Sequence, residues 1–180
     1  MSLRAGLSGS AMRWARPSLA IGAAVLLAAC YAELDWREFT SSVGGFAVLL
    51  PSKPARESRE LVLAGGRTTM HMVSAHAPEM AFGVGYADLP PGTDAARALE
   101  EGRAALVKNI GGRVTAERAL AGVTGVEFEA EGAAEGNPMR LAARVLVSGN
   151  RYYQVVLVAR AARAGEVDRT IFPGSFRLIR

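Results

Sequence analysis

The sequence predicts an α+β domain in which one antiparallel β-sheet carries one long and one short helix packed on it. Turn signals separate short stretches in which apolar and polar residues alternate, as in antiparallel strands. One long segment in the middle of the chain changes to helical spacing, so the helices are expected to lie together on the sheet rather than between strands. A third observation, a short apolar run near the N-terminus, concerns the location of the protein.

The N-terminal segment resembles a secretory signal peptide. Three arginines precede an apolar core, residues 19–29, and no acidic residue occurs before Glu33. That core is too short to cross a bilayer, which takes about 20 apolar residues. It ends in LAAC, residues 27–30, which resembles the lipobox of bacterial lipoproteins: an aliphatic residue and two small residues before a cysteine. An ordinary secretory signal with an incidental cysteine is the alternative.

The lipobox resemblance implies that residues 1–29 are removed and that Cys30 is lipidated with acyl chains such as palmitate. Two or more acyl chains hold a protein stably on a membrane. In lipoproteins, an aspartate after the cysteine favours the inner membrane. Tyr31 stands there in this chain, so we expect a lipid-anchored protein of the bacterial cell envelope, on the outer membrane and facing the periplasm.

The remaining chain is predicted to be a tether, residues 30–44, followed by one globular domain, residues 45–180. Trp36 and Phe39 in the tether could cap the core or rest in the membrane interface. The formal charge of +4 includes the three arginines before residue 30, so the rest carries about +1 and no nucleic-acid partner is expected. With one cysteine, no disulfide forms within the chain.

Four strands are predicted before the helix. The first ends at the proline-containing turn PSKP, and the next two flank Gly65-Gly66, a hairpin signal. In the fourth, Gly83 and Gly85 share one face, which suits a helix or loop packing closely on it. The predicted ranges are 46–50, 57–64, 67–76 and 80–89.

The helix is predicted to begin at an N-cap, Thr93 or Asp94, and to end at Gly111-Gly112. Apolar residues recur between these points at helical spacing, and Gly102 is a weak position within them. The helix is expected to span about 16 residues.

Four strands and a short helix are predicted after the long helix. Gly149-Asn150 fits a tight turn between the last two strands. The final strand is apolar on both faces, which places it at the centre of the sheet, with Val156 and Val158 on one face and Val155 and Leu157 on the other. The predicted strands are 113–121, 124–131, 139–148 and 151–160, and the short helix is 164–171.

Several stretches together resemble the small bacterial envelope proteins of the PsbP/Mog1-like group. They are GGFAVLLPSKP, GYADLP, the long helix, SGNRYYQVVLV and FPGSFRL. The resemblance implies an α/β/α sandwich fold. These motifs are structural and imply no chemistry.

No catalytic, cofactor or metal site is predicted. His71 and His76 are an odd number of residues apart on one strand, so they face opposite sides and cannot share a zinc ion. Glu127, Glu129 and Glu131 form a row that could bind calcium or serve acid–base chemistry, but it also fits the solvent face of a half-buried strand. Arg140 near Glu129 and Arg144 diagonal to Glu127 would neutralise that row.

The predicted function is a non-enzymatic, lipid-anchored envelope protein acting as a binding or structural module. Its partners are the membrane, through the lipid on Cys30, and an unknown envelope protein or small ligand. The alternative is a lipid-anchored hydrolase that uses dispersed carboxylates. A ligand carrier is a third hypothesis, and it requires an apolar cleft between the helix and the sheet.

Overall fold

A computed structural model describes residues 34–165 and 171–179. The predicted signal peptide and Cys30 lie outside these residues. Within them, no helix is long and apolar enough to span a bilayer. The described elements are β1 (Arg37–Ser41), β2 (Phe46–Leu50), β3 (Ala55–Leu63), β4 (Gly66–Ala77), β5 (Met80–Asp88), α1 (Ala95–Asn109), β6 (Arg113–Ala119), β7 (Thr124–Ala134), β8 (Asn137–Ser148), β9 (Arg151–Arg160) and β10 (Arg177–Leu178).

The strands form two antiparallel sheets, so the fold is mostly β. One sheet has the order β1-β2-β10, and the other has the order β3-β4-β5-β9-β8-β7-β6. Side chains of β2 pack on one face of the seven-stranded sheet, while α1 packs on the other. The predicted α/β/α sandwich with a long and a short helix is therefore wrong, because three strands occupy the layer where a second helical layer was expected.

The predicted short helix lies partly outside the described residues. Residues 166–170 are not described, and the described residues on either side of them, 161–165 and 171–175, are in turns. Phe172, which follows in this region, is completely buried against the core between the two sheets.

The three-stranded sheet uses residues that were assigned to the tether. β1 pairs with β2 from Arg37 opposite Leu50 to Ser41 opposite Phe46, and β10 pairs with the other edge of β2. The ring of Trp36 meets that of Phe82 edge-on at 5.5 Å, so Trp36 caps the core. The sequence left two interpretations of these aromatic residues, a core cap or a place in the membrane interface. In the structure they pack against the core.

The last hairpin and the central strand confirm the sequence prediction. Gly149-Asn150 is the turn between β8 and β9, and Val147 lies opposite Tyr152. β9 is the middle strand of seven. Val155 and Leu157 are buried on the face towards β2, whereas Val156 and Val158 are only half-buried on the face towards α1.

The helix begins and ends where the sequence predicts. The Asp94 carboxylate caps it by accepting hydrogen bonds from the backbone N–H groups of Ala96 and Arg97, at 2.9 and 3.3 Å. Gly102 is more than a weak position. A Cβ atom there would stand 2.0 Å from the Tyr152 hydroxyl, so the missing side chain lets α1 approach β9 closely.

Both edges of the seven-stranded sheet carry charge. β3 is almost entirely exposed and contains Arg56, Glu57, Arg59 and Glu60. β6 is also largely exposed, and its pairing with β7 is interrupted by a register shift between Val114 and Ala116.

Candidate binding groove between helix and sheet

A groove of about 220 Å³ lies beside the C-terminal half of α1, above β4, β5 and β9. Its walls and floor are mainly apolar. They include Met72, Leu106, Ile110, Leu141, Val156 and Val158.

The groove exists because the helix does not cover the whole sheet. α1 packs mainly over β7 and β8, so the helix-side face of β4, β5 and β9 is left partly open. The sequence predicted close packing over Gly83 and Gly85, and the two glycines differ. A Cβ at Gly85 would meet the side chains of Gln154 and Met70 within about 3.0 Å, whereas at Gly83 the nearest atom is the Val73 carbonyl oxygen at 3.8 Å. The floor of the groove is therefore open at Gly83.

The two ends of the helix differ in how they meet the sheet. Towards its N-terminal half, the Ala64 N–H donates a hydrogen bond to the Glu101 carboxylate at 2.6 Å, and Gly102 lies against Tyr152. Beside these contacts lies a further cavity of about 310 Å³, and Arg59 and Gln154 line both it and the groove. Towards its C-terminal end, the groove extends to Val158, near the end of the sheet where β9 finishes, and Val158 and Ser74 are half-buried.

Polar groups line the rim of the groove. Glu57 and Arg59 project from β3, Asn109 from the end of α1, and Gln154 from β9. The Gln154 side-chain oxygen accepts a hydrogen bond from the Tyr152 hydroxyl at 3.4 Å. Burial raises the pKa of Tyr152 well above its ordinary value, so this hydroxyl stays neutral and acts as a donor. An apolar floor with a polar rim suits a ligand that has an apolar body and a polar end.

A second cavity, of about 330 Å³, lies on the opposite face beneath the β1–β2 turn. There Ser58 Oγ lies 2.8 Å from His71 Nδ1, and the His71 ring stacks on Tyr86 at 5.1 Å. Asp88 instead accepts hydrogen bonds from Arg151 at 2.6 and 3.0 Å, which lower the pKa of its carboxyl. Among the described residues, no carboxylate hydrogen-bonds to His71, so nothing orients it as a general base.

The sequence missed the Ser58–His71 pair because of the β3–β4 turn. The turn was placed at Gly65-Gly66, but it consists of Ala64 and Gly65, both with positive φ, and Leu63 pairs with Gly66. This shift changes every cross-strand partner in the hairpin and sets Ser58 opposite His71. Placing the two-residue turn at Ala64-Gly65, with a non-glycine first residue, would have revealed the Ser58–His71 pair.

The carboxylate row is neutralised by arginines, with a register different from the predicted one. Glu127 lies opposite Arg144 and bonds to both Arg144 and Arg118, while Glu131 pairs with Arg140 at 2.7 Å. Partial burial raises the pKa of Glu127, but the two arginines outweigh it, and the net pKa is below its ordinary value. The alternation itself is confirmed, since Phe128 and Ala130 are buried towards α1.

No metal site forms in the part of the chain that the structure describes, where no three metal-ligating side chains gather. His71 and His76 lie on opposite faces of β4, as their spacing indicates. The predicted lipidation residue, Cys30, lies outside the described residues.

The three-layer arrangement defines a PsbP-like fold. The solution structure of cyanobacterial PsbP (CyanoP) from Synechocystis sp. PCC 6803 is similar to this chain with a TM-score of 0.56 and 11% identity, over 79% of this chain and 92% of that one. At this identity, the likeness concerns the fold alone.

Two other solved structures match more distantly. One is a protein of unknown function and putative regulator from Pseudomonas aeruginosa, PA94, with a TM-score of 0.39 and 11% identity over 73% of this chain and 87% of that one. The other is LpqN of Mycobacterium tuberculosis, described as involved in cell envelope biogenesis, with a TM-score of 0.38 and 12% identity over 72% and 86%. No family model and no curated protein sequence matches the chain.

Proposed function

We propose that this chain is a non-enzymatic, lipid-anchored protein of the bacterial cell envelope that binds a ligand in the groove between α1 and the sheet. The groove is the observation that carries this proposal. It supplies the apolar cleft that a ligand-binding module of this kind requires, with a few polar side chains among the residues that line it.

The envelope location rests on the sequence. The LAAC pattern at residues 27–30 supports lipidation at Cys30 and removal of residues 1–29, and Tyr31 favours the outer membrane over the inner one. The bound partner is a small ligand or a segment of an envelope protein that offers an apolar part. The near-neutral charge after residue 30 gives no support to a nucleic-acid partner.

The hydrolase alternative gains little from the carboxylates on which it depended. Glu127 and Glu131 are held in ion pairs with arginines, and the depressed pKa of Glu127 keeps it ionised and unsuited to donate a proton near neutral pH. We therefore keep the binding module as the proposed function.

Binding in the groove can be tested with octanoate, a short amphiphile used below its micelle-forming concentration. The full chain, carried in lipid nanodiscs, should be stabilised by RT ln(1 + [L]/Kd), which at tenfold excess over Kd is a rise in Tm of about 3–5 °C. Gly83→Leu should abolish the rise, because the new side chain fills the open floor.

Gly165→Leu is the matched control. A Cβ atom at Gly165 would meet no other atom within 4 Å, and this residue lies away from the groove, so the octanoate effect should survive there. A Gly83→Leu variant that keeps the full rise would contradict the proposal.

A further inference from the structure

The described chain begins at the end of the seven-stranded sheet to which the groove extends. The Asp35 N–H donates a hydrogen bond to the Pro51 carbonyl oxygen at 2.9 Å, which fixes the start of the chain beside the β2–β3 turn. In that turn, the Ser52 hydroxyl donates a hydrogen bond to the His76 carbonyl oxygen at 3.0 Å.

The pairing of the strands shows where His76 lies relative to the groove. His76 lies opposite Ala81, Ala81 opposite Val158, and Val158 opposite Leu141. Val158 and Leu141 line the groove at this end of the sheet. The start of the described chain and this end of the groove are therefore at one level of the seven-stranded sheet, on its two opposite faces.

The covalent distance from this end to the predicted anchor is short. Three residues separate Cys30 from Leu34. An extended chain of this length reaches at most about 14 Å. A lipid on Cys30 would therefore hold this end of the domain close to the bilayer surface, and hold the opposite end, with the exposed Val43 turn, away from it.

We infer that the occupant of the groove is an acyl chain of a lipid from the bilayer to which the protein is anchored. This inference rests on the proposed function. The groove extends to the membrane-proximal end, its floor at Gly83 is open, and its walls are Leu106, Ile110, Val156 and Val158. Asn109 and Gln154 on the rim can hydrogen-bond the ester or headgroup oxygens next to such a chain.

The test uses a phospholipid with a photoactivatable diazirine in the middle of one acyl chain. The full, lipidated protein is reconstituted in phosphatidylethanolamine–phosphatidylglycerol vesicles that contain this lipid, irradiated and digested, and the labelled peptides are identified by mass spectrometry. We expect label on peptides from β5, β9 and the C-terminal half of α1. Gly83→Leu should reduce it at least fivefold, whereas Gly165→Leu should not.

A second variant tests the role of the anchor. Cys30→Ser, prepared without the predicted signal peptide (residues 1–29) and added to the same vesicles at the same concentration, should lose the groove label because no lipid holds the groove at the surface. Equal labelling in Cys30→Ser would overturn the inference. So would label confined to β10 or to the β1–β2 turn that contains Val43, and so would groove label that Gly83→Leu leaves unchanged.

The octanoate experiment separates failure of this inference from failure of the proposed function. If octanoate stabilises the parent but no lipid label enters the groove, the groove binds a ligand from another source and the inference is wrong. If octanoate has no effect and no label appears, both proposals fail.

Discussion

One face of the seven-stranded sheet is covered by three strands, and the other by a single helix that leaves part of it open. On the strand side, Phe46, Val48 and Leu50 of β2 are completely or almost completely buried against Val155 and Leu157. On the helix side, the neighbouring residues Val156 and Val158 of the same strand remain half-exposed. One central strand thus supports a closed core on one face and a binding surface on the other.

The largest expected effect is a difference in stability between two variants that place the same charge at adjacent residues of β9, one on each face of the sheet. Val155→Asp places a charge in the closed core without a partner and should cost about 4 kcal/mol or more in unfolding free energy. Val156→Asp places the same charge at the groove, where water reaches it, and should cost less than about 2 kcal/mol. Urea unfolding followed by tryptophan fluorescence measures both values. Equal costs would mean that the helix side is as closed as the strand side.

A second experiment tests the contact between the middle of the helix and the sheet. An exposed Gly→Ala change within a helix usually stabilises it by about 1 kcal/mol. Gly102→Ala should instead cost about 1–3 kcal/mol, because the added Cβ overlaps the Tyr152 hydroxyl.

Tyr152→Phe supplies the matched test of that overlap. Removing the hydroxyl should recover part of the loss in the double variant, and a thermodynamic cycle of the four proteins by thermal unfolding measures this coupling. Additive effects of the two substitutions would show that the helix does not rest on this ring.

The smallest expected effect concerns the carboxylate row on the strand side. Glu127→Gln should cost about 1 kcal/mol at pH 7, since the side chain is 21% exposed and two arginines bind it. Its pKa is lower in the folded protein than the ordinary 4.5, so the contribution is complete above that value and is lost as the pH falls through the folded pKa. The stability difference between parent and Glu127→Gln should therefore shrink in acid.

Glu129→Ala is the comparison within the same row. Glu129 is half-buried on the same face of β7, and its substitution should cost under about 1 kcal/mol. Urea unfolding at pH 7 and pH 3 measures both variants. A larger loss in Glu129→Ala would return the row to consideration as a functional site.

The sequence predicted the parts of the fold that depend on local signals. Asp94 caps the helix, Gly149-Asn150 forms the turn, and the apolar run of β9 marks the central strand. It did not predict β1, because REFTS is short and charged, and this strand is ordered by its pairing with β2 rather than by its own pattern. The second sheet also depends on β10, which joins β2 across most of the chain length.

The groove lies beyond local sequence reasoning for a related reason. A glycine in a strand is compatible with close packing, as at Gly85, and with open space, as at Gly83. Which of the two occurs depends on where the helix settles on the sheet, and that is decided by Gly102 against Tyr152 and by the buried Leu106 and Ile110. Cys30 remains a prediction from the sequence.

The charged edges of the seven-stranded sheet matter most for a protein held on a surface. Molecules confined to two dimensions meet often and in similar orientations, so an exposed strand edge would tend to join sheets of neighbouring copies. On β3 the alternating arginines and glutamates oppose such growth, and on β6 the register shift breaks the regular row of backbone groups. On a membrane, where we propose that the protein is anchored, these edges would let its copies be crowded without joining their sheets.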